Sequence, residues 1–336
     1  MTTVDLLLVG LGNVHQRFLH LLATRAAVLM QRHDLQLRVV GAADSQGAVM
    51  SVAGLDPAAL LHHKQTVGSV SQLAGGVPGA TALDLLQQVP AQVLLDASPV
   101  NLTDAEPSLS YALAALERGV HVVLANKAPL ALHYARLHAT ANRTGARLAF
   151  SATVCGGLPV VNVGQRDLVA AQVARVEGVF NSTSNYILTQ MAAGVSYADA
   201  LAEAQRRGIA ETDPTLDVDG WDTANKLTIV ANAVLGFPAT VRDVQPVTGI
   251  RALTAPPAGS VWKLVGTAQR QADGAYRLSV EPVALPAAHP LARLDNWQMG
   301  VQFESDLFES VFISIDERGP TGTAAAMLRD VVNLVR

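Results

Sequence analysis

The most constraining feature of the sequence lies at its start. An apolar run, residues 4–9, stops at Gly10-Leu11-Gly12-Asn13-Val14, and Phe18, Leu19, Leu22 and Ala26 then recur at helical spacing. A strand that turns through glycines straight into a helix opens a βα unit. Glycines there let a phosphate-bearing ligand reach free backbone N–H groups at the helix start, where a side chain would block it. Gly10, Gly12, Asn13 and Val14 are therefore candidate dinucleotide-binding residues. His15 stands where a third glycine completes the usual fingerprint, so a plain tight turn is the competing reading. The next strand, Leu37 to Ala43, ends on Asp44, a carboxylate placed to accept from adenosine ribose hydroxyls and to repel a 2′-phosphate. This favours NAD over NADP, with a helix N-cap as the alternative role for Asp44.

Further strands end in polar residues. Val93 to Asp96 runs to Ser98-Pro99, His121 to Ala125 runs to Asn126-Lys127, and helical stretches over 105–118 and 131–144 separate them. The alternation predicts an α/β chain with a Rossmann-type doubly wound sheet, and it places Ser98, Pro99 and Asn126 at the sheet edge where such folds bind ligands. Residues 51–90 mix Gly and Pro with apolar pieces and predict surface helices and loops. From about Leu148 the texture changes to strand-like runs (Val173 to Phe180, Tyr276 to Val283, Ser310 to Ile315) and a few long helices, which predicts a second domain of α+β type. The 336 residues suit two domains. The expected division is 1–147, completed by a C-terminal helix within 319–336, and 148–318.

Composition narrows the partners. A net charge of −4 leaves no basic surplus to neutralise a nucleic-acid backbone. One cysteine, Cys155, cannot form an internal disulfide and fits a reducing compartment. The amino terminus lacks the basic flank of a signal peptide, and no apolar run approaches the roughly 18 residues of a membrane span. These observations predict a cytoplasmic protein without a membrane partner.

Ionisable residues are densest in Glu211-Thr-Asp213-Pro-Thr-Leu-Asp217-Val-Asp219-Gly-Trp-Asp222-Thr-Ala-Asn-Lys226. Gly208 ends the preceding helix, Pro214 and Gly220 keep the middle irregular, and Asp219 is expected to cap a helix running to about Leu235. Asp222 and Lys226 then share one helix face. A solvated acidic loop with an ordinary surface ion pair is the competing reading. A calcium loop fits less well, because the mid-loop glycine and closing glutamate are not at the required offsets.

Five ordered blocks resemble the homoserine dehydrogenase family: the glycine turn at 10–14, Leu-Ala-Asn-Lys at 124–127, Gly-Gly-Leu-Pro at 156–159, Asn-Ser-Thr-Ser-Asn-Tyr-Ile at 181–187, and the acidic segment ending at Lys226. Gly319-Pro320 with Thr321-Gly-Thr323 resembles the family's terminal cofactor-contacting turn. The resemblance implies an NAD(P)-dependent oxidoreductase that interconverts aspartate 4-semialdehyde and L-homoserine in threonine and methionine biosynthesis, acting as a homodimer through its catalytic domain. It implies a short form without a C-terminal regulatory domain, hence no inhibition by threonine at a separate site. It further implies a substrate site of Glu211, Asp217, Asp222, Thr183, Ser182, Lys127 and Lys226, and cofactor contacts from Ser98, Pro99, Asn126, Lys127, Gly319 and Thr323. Lys226, oriented by Asp222, is the expected carbonyl-polarising proton donor, because aldehyde reduction builds charge on oxygen that an ammonium can stabilise and then protonate. Lys127 is the second lysine of that site.

Two departures stand out. Ser151 replaces a glutamate with which the family often helps bind a monovalent cation, together with carbonyls near Val154, Gly156 and Leu158; no metal is therefore expected. Ser182 replaces a glycine. Three other readings stay open: a semialdehyde dehydrogenase with Cys155 as nucleophile, which lacks a histidine nearby in sequence; a sugar or cyclitol oxidoreductase of similar architecture, against which Asn126-Lys127-Ala128-Pro129 in place of Glu-Lys-Pro argues; and a nucleotide sensor that uses the dinucleotide half alone.

Overall fold

The computed structural model describes residues 1–210 and 212–336. The chain divides into two compact units, Met1–Gly157 with Gly319–Arg336, and Leu158–Arg318.

In the first unit β1 (Thr2–Val9) leads through the glycine turn into α1 (Asn13–His33) and β2 (Leu35–Asp44). Then follow β3 (Gly47–Leu55), α2 (Pro57–Thr66), β4 (Gly76–Pro78), α3 (Ala82–Gln88), β5 (Val93–Asp96), α4 (Ser108–Glu117), β6 (His121–Leu124), α5 (Ala128–Thr144) and β7 (Leu148–Ala149). The sheet order is β4-β3-β2-β1-β5-β6-β7. Strands β2, β1, β5, β6 and β7 run parallel. Leu6, Leu7 and Leu8 are fully buried, as a strand covered on both faces requires. Each such leucine contributes about 1.5–3 kcal/mol through burial. Register aligns the strand ends: Val9 lies opposite Ala43 and Asp96, and Asp96 opposite Leu124. The residues that follow these four strands therefore emerge along one edge.

Two expectations need correction here. Residues 47–55 and 76–78, within or beside the stretch expected to hold only helices and loops, form antiparallel strands that extend the sheet beyond β2. The boundary between the units falls after Gly157 and not after residue 147, because β7 pairs with β6 and the turn at Ser151 is bonded to the C-terminal helix, Thr321–Val335. That helix shares a core with α1, in which Phe18, Leu19 and Leu22 cluster with Met327 and Val331.

The second unit holds α6 (Val160–Asn162), β8 (Val173–Val179), α7 (Ser182–Ala192), α8 (Tyr197–Arg206), α9 (Thr215–Val218), α10 (Trp221–Ala233), β9 (Val244–Val247), β10 (Ser260–Arg270), β11 (Tyr276–Pro286), β12 (Gln298–Ser305) and β13 (Glu309–Asp316). They build a six-stranded, mostly antiparallel sheet in the order β13-β12-β8-β10-β11-β9. Gly178 and Gly266 make room for the ring of Phe180: a Cβ on either would sit 2.8 or 3.1 Å from it. This seating fixes the link from β8 into α7. The C-terminal helix is α11. Among the described residues no helix is long and apolar enough to cross a membrane.

Candidate active site

The dinucleotide half lies in the first unit. Gly10 has φ +80, and a Cβ there would meet the backbone of Ser98 at 2.5 Å, so only glycine fits. Gly12 is the N-cap of α1, and a Cβ on it would meet nothing within 4 Å. No acidic side chain occupies the first turn of this 21-residue helix. Open space over free N–H groups at a positive helix end suits a pyrophosphate, so these residues fit a dinucleotide. His15 is fully buried and hydrogen-bonds the Gly10 carbonyl at 2.9 Å through Nδ1, which must be the protonated nitrogen because a carbonyl only accepts. Burial lowers its pKa to about 4, so the ring that replaces the third glycine is a neutral brace for the turn.

A cavity of about 450 Å³ opens beside the turn, lined by Gly10, Asp44, Ser45, Ser98, Pro99 and Glu106 among others. Asp44 reaches it, but its carboxylate is already occupied. Oδ1 accepts from Gln46 N (2.9 Å) and Ser69 Oγ (3.0 Å), and Oδ2 from Lys64 Nζ (2.7 Å) and Val70 N (3.0 Å). Burial raises its pKa, yet the bond from Lys64 and the two amides outweigh burial and hold it below the ordinary value. A ribose hydroxyl would therefore have to displace one of these donors.

The remaining strand ends converge. Asn126, buried at the end of β6, donates from Nδ2 to Ser98 Oγ (3.2 Å) and Pro99 O (3.1 Å) and accepts from Ala128 N (3.0 Å). Asp96 is fully buried, which pushes its pKa up, and it accepts from Ser98 N at 2.7 Å and from the Ser108 hydroxyl. The Ser98-Pro99 turn is thus gripped from two strands. Lys127 is the N-cap residue of α5. Gly319 and Thr323 flank the start of α11, and a Cβ on Gly319 would meet nothing within 4 Å.

In the second unit Asn181 is the hub. Its Oδ1 accepts from Ser184 N at 2.8 Å, capping α7, while Nδ2 donates to Asp217 Oδ1 and Asp222 Oδ2, each at 2.7 Å. Lys226 Nζ donates to Asp222 Oδ2 at 2.7 Å and to Phe180 O at 2.7 Å. The Asp222 side chain is 5% exposed and that of Lys226 14%, so this pair is not the solvated surface pair that spacing alone allowed. Burial, with the neighbouring Asp222 charge, pushes the Asp217 carboxyl up against the opposing pull of Asn181 and Lys226. Thr183 is buried and donates to Ile209 O at 3.2 Å; Ser182, half-buried, opens α7 beside it. Glu211 lies outside the described residues.

Asp219 does not cap α10. Gly220, with φ +89, is the N-cap, and the Asp219 carboxylate pairs with Arg251 instead, at 2.5 Å. Sequence reading did not single out Asn181, although an Asn directly before a helix that begins Ser182-Thr183 is an N-cap signal. Cys155 is buried, and a thiol shielded in this way is poorly placed to attack a substrate.

A glycine-turn dinucleotide unit joined in one chain to a unit carrying a buried carboxylate–lysine pair defines an NAD(P)-dependent oxidoreductase. Residues 10–151 match the model of the homoserine dehydrogenase NAD-binding domain, and residues 159–332 match that of homoserine dehydrogenase itself. An NAD(+)-dependent homoserine dehydrogenase of Pseudomonas canavaninivorans is 38% identical over 99% of this chain and 97% of its own. A homoserine dehydrogenase of Methanocaldococcus jannaschii is 33% identical over 98% of each chain. The crystal structure of homoserine dehydrogenase from Thermoplasma acidophilum superposes with a TM-score of 0.85 at 27% identity, covering 99% of each chain. The chain belongs to the homoserine dehydrogenase family.

Proposed function

We propose that this chain interconverts aspartate 4-semialdehyde and L-homoserine with a nicotinamide dinucleotide, and that Lys226 handles the proton. The observation that carries this reading is the clamp on Lys226: Asp222 Oδ2 and Phe180 O each hold Nζ at 2.7 Å, in an environment where charge is weakly screened. A bound nicotinamide would supply the hydride to, or accept it from, C4 of the substrate. In the reducing direction the Lys226 ammonium stabilises the charge growing on the aldehyde oxygen and donates a proton to it; in the oxidising direction the neutral amine takes the hydroxyl proton.

The rest of the half-site suits an amino acid. Asp217 and Asp222 share the Asn181 amide, and their mutual repulsion is relieved by a substrate α-ammonium, with Glu211 as a further carboxylate. The first amides of α7, at Ser182 and Thr183, suit the substrate carboxylate. Lys127, at the end of β6, is the second lysine. Gly10, Gly12, Asn13 and Val14 would hold the pyrophosphate, and Ser98, Pro99, Asn126, Gly319 and Thr323 would hold the nicotinamide end. NAD is favoured over NADP because Asp44 and Glu106 both line the cavity.

We place the enzyme in the cytoplasm as a homodimer. The edge strand β13, with Phe312 and the adjoining Leu307 and Phe308 exposed, is the surface on which a second copy would pair. Steady-state oxidation of homoserine with NAD tests the activity, and sedimentation equilibrium tests the dimer. Absence of turnover with either cofactor would refute the assignment.

A further inference from the structure

The turn at 151–157 sits where the family resemblance implies a monovalent cation, and the residues present do not fit one. The Ser151 hydroxyl is engaged in both directions: it donates to Asp330 Oδ1 at 2.7 Å and accepts from Arg329 Nη2 at 2.9 Å. The Ser151 amide donates to Asp330 Oδ2 at 2.8 Å, and Asp330 is buried. Arg329 Nη1 reaches the Gly157 carbonyl at 3.4 Å, spanning the turn from its first residue to its last. Between these points Cys155 and Gly156 both adopt left-handed backbone, φ 58 and 56. Glycine adopts that conformation freely, but at Cys155 it is strained, so the turn draws on outside partners to hold its shape. An alkali ion on Ser151 Oγ would lie in contact with a guanidinium of like charge, beside a carboxylate already spent on the serine.

We propose that Arg329 is the built-in monovalent cation of the 151–157 turn, gripping a serine that Asp330 fixes, and that it takes the place of an alkali-metal ion. Guanidinium is weakly hydrated, always charged and carries its donors in a fixed fork, so it can bind oxygens at two ends of a turn at once where a spherical ion would need a full shell. Asp330 fixes the serine whose hydroxyl the arginine grips. In this arrangement Arg329 is a positioning residue that acts through the turn and not on the substrate.

The test uses the full chain and rests on the homoserine dehydrogenase reading for its assay. Wild type, Arg329→Met and Arg329→Lys are compared in choline chloride and, at equal ionic strength, in sodium or potassium chloride. Wild-type kcat/KM for homoserine is expected to be indifferent to the cation. Arg329→Met should lose about tenfold or more, the scale of removing a partner that orients a site. Millimolar guanidinium should restore that variant saturably and raise its melting temperature, an effect opposite to denaturation, whereas tetramethylammonium should do neither; Arg329→Lys should keep most of the rate. Saturable stimulation of the wild type by sodium or potassium would overturn the proposal. So would an Arg329→Met variant with normal kinetics, or one whose loss no small cation reverses. Should Arg329→Met fail to fold, the wild-type cation series and Arg329→Lys decide alone. Wild type inactive on homoserine would refute the parent reading, and the melting response to guanidinium would still judge this one.

Discussion

Replacing Lys226 by Met keeps the aliphatic stem and removes the charge, which separates two consequences. The first is stability. Asp222, with its side chain 5% exposed, loses its ammonium while it still shares the Asn181 amide with a second carboxylate, Asp217. Breaking a buried pair in this way costs about 3–5 kcal/mol. A domain in the upper part of the usual range of about 5–15 kcal/mol stays folded under that loss, and the thermal melts show whether turnover is being read on folded protein. The second is chemistry: loss of the group that polarises the carbonyl and moves the proton lowers kcat by roughly 10²–10⁴-fold. Adding Asp222→Asn removes the buried charge that has lost its ammonium. The double variant should therefore regain much of its melting temperature and none of its rate, and the two rate losses should not add. The assay is reduction of NAD by homoserine followed by absorbance, with thermal melts alongside. Near-normal turnover in Lys226→Met, or recovery of rate in the double variant, would refute the role.

Three further outcomes are expected. His15 is neutral in the fold, with its pKa lowered from 6.5 to about 4, while the unfolded chain takes up the proton; stability from this group is full above 6.5 and is lost as pH falls through that window, by about 3 kcal/mol in all. A His15→Gln variant should show a flatter melting profile between these pH values, and an unchanged slope would contradict the burial argument. Asp217 has the opposite sign for an acid: its raised pKa means the ionised form is held at a cost, so Asp217→Asn should melt higher at neutral pH while KM for homoserine rises, and a KM equal to wild type would remove Asp217 from the substrate site. Fluorescence titration should find NADH bound more tightly than NADPH, with the gap narrowed in Asp44→Asn; the reverse order would mean that Lys64 cancels the Asp44 charge at the cavity.

What the sequence by itself determined is local. The apolar run and glycines at 4–14, the strand ends at Asp44, Ser98 and Asn126, and the Asp222–Lys226 spacing all follow from periodicities of two and 3.6 residues, which any short window contains. The α/β order of the first unit and the helix carrying the lysine were therefore readable. The strands at 47–55 and 76–78 were not, because Gly and Pro in that stretch signal breaks, and only pairing with β2 makes strands of the pieces between them. The tertiary structure alone decided the polar connections. Asn181 joins Asp217 and Asp222 from 36 and 41 residues away, Lys64 takes up the Asp44 carboxylate from 20, and Arg329 reaches Ser151 across 178. Each of these side chains could as well have faced water on the evidence of its neighbours. Which partner a buried charge finds depends on how the elements pack, since burial makes an unpaired polar group costly and leaves the fold to supply the partner.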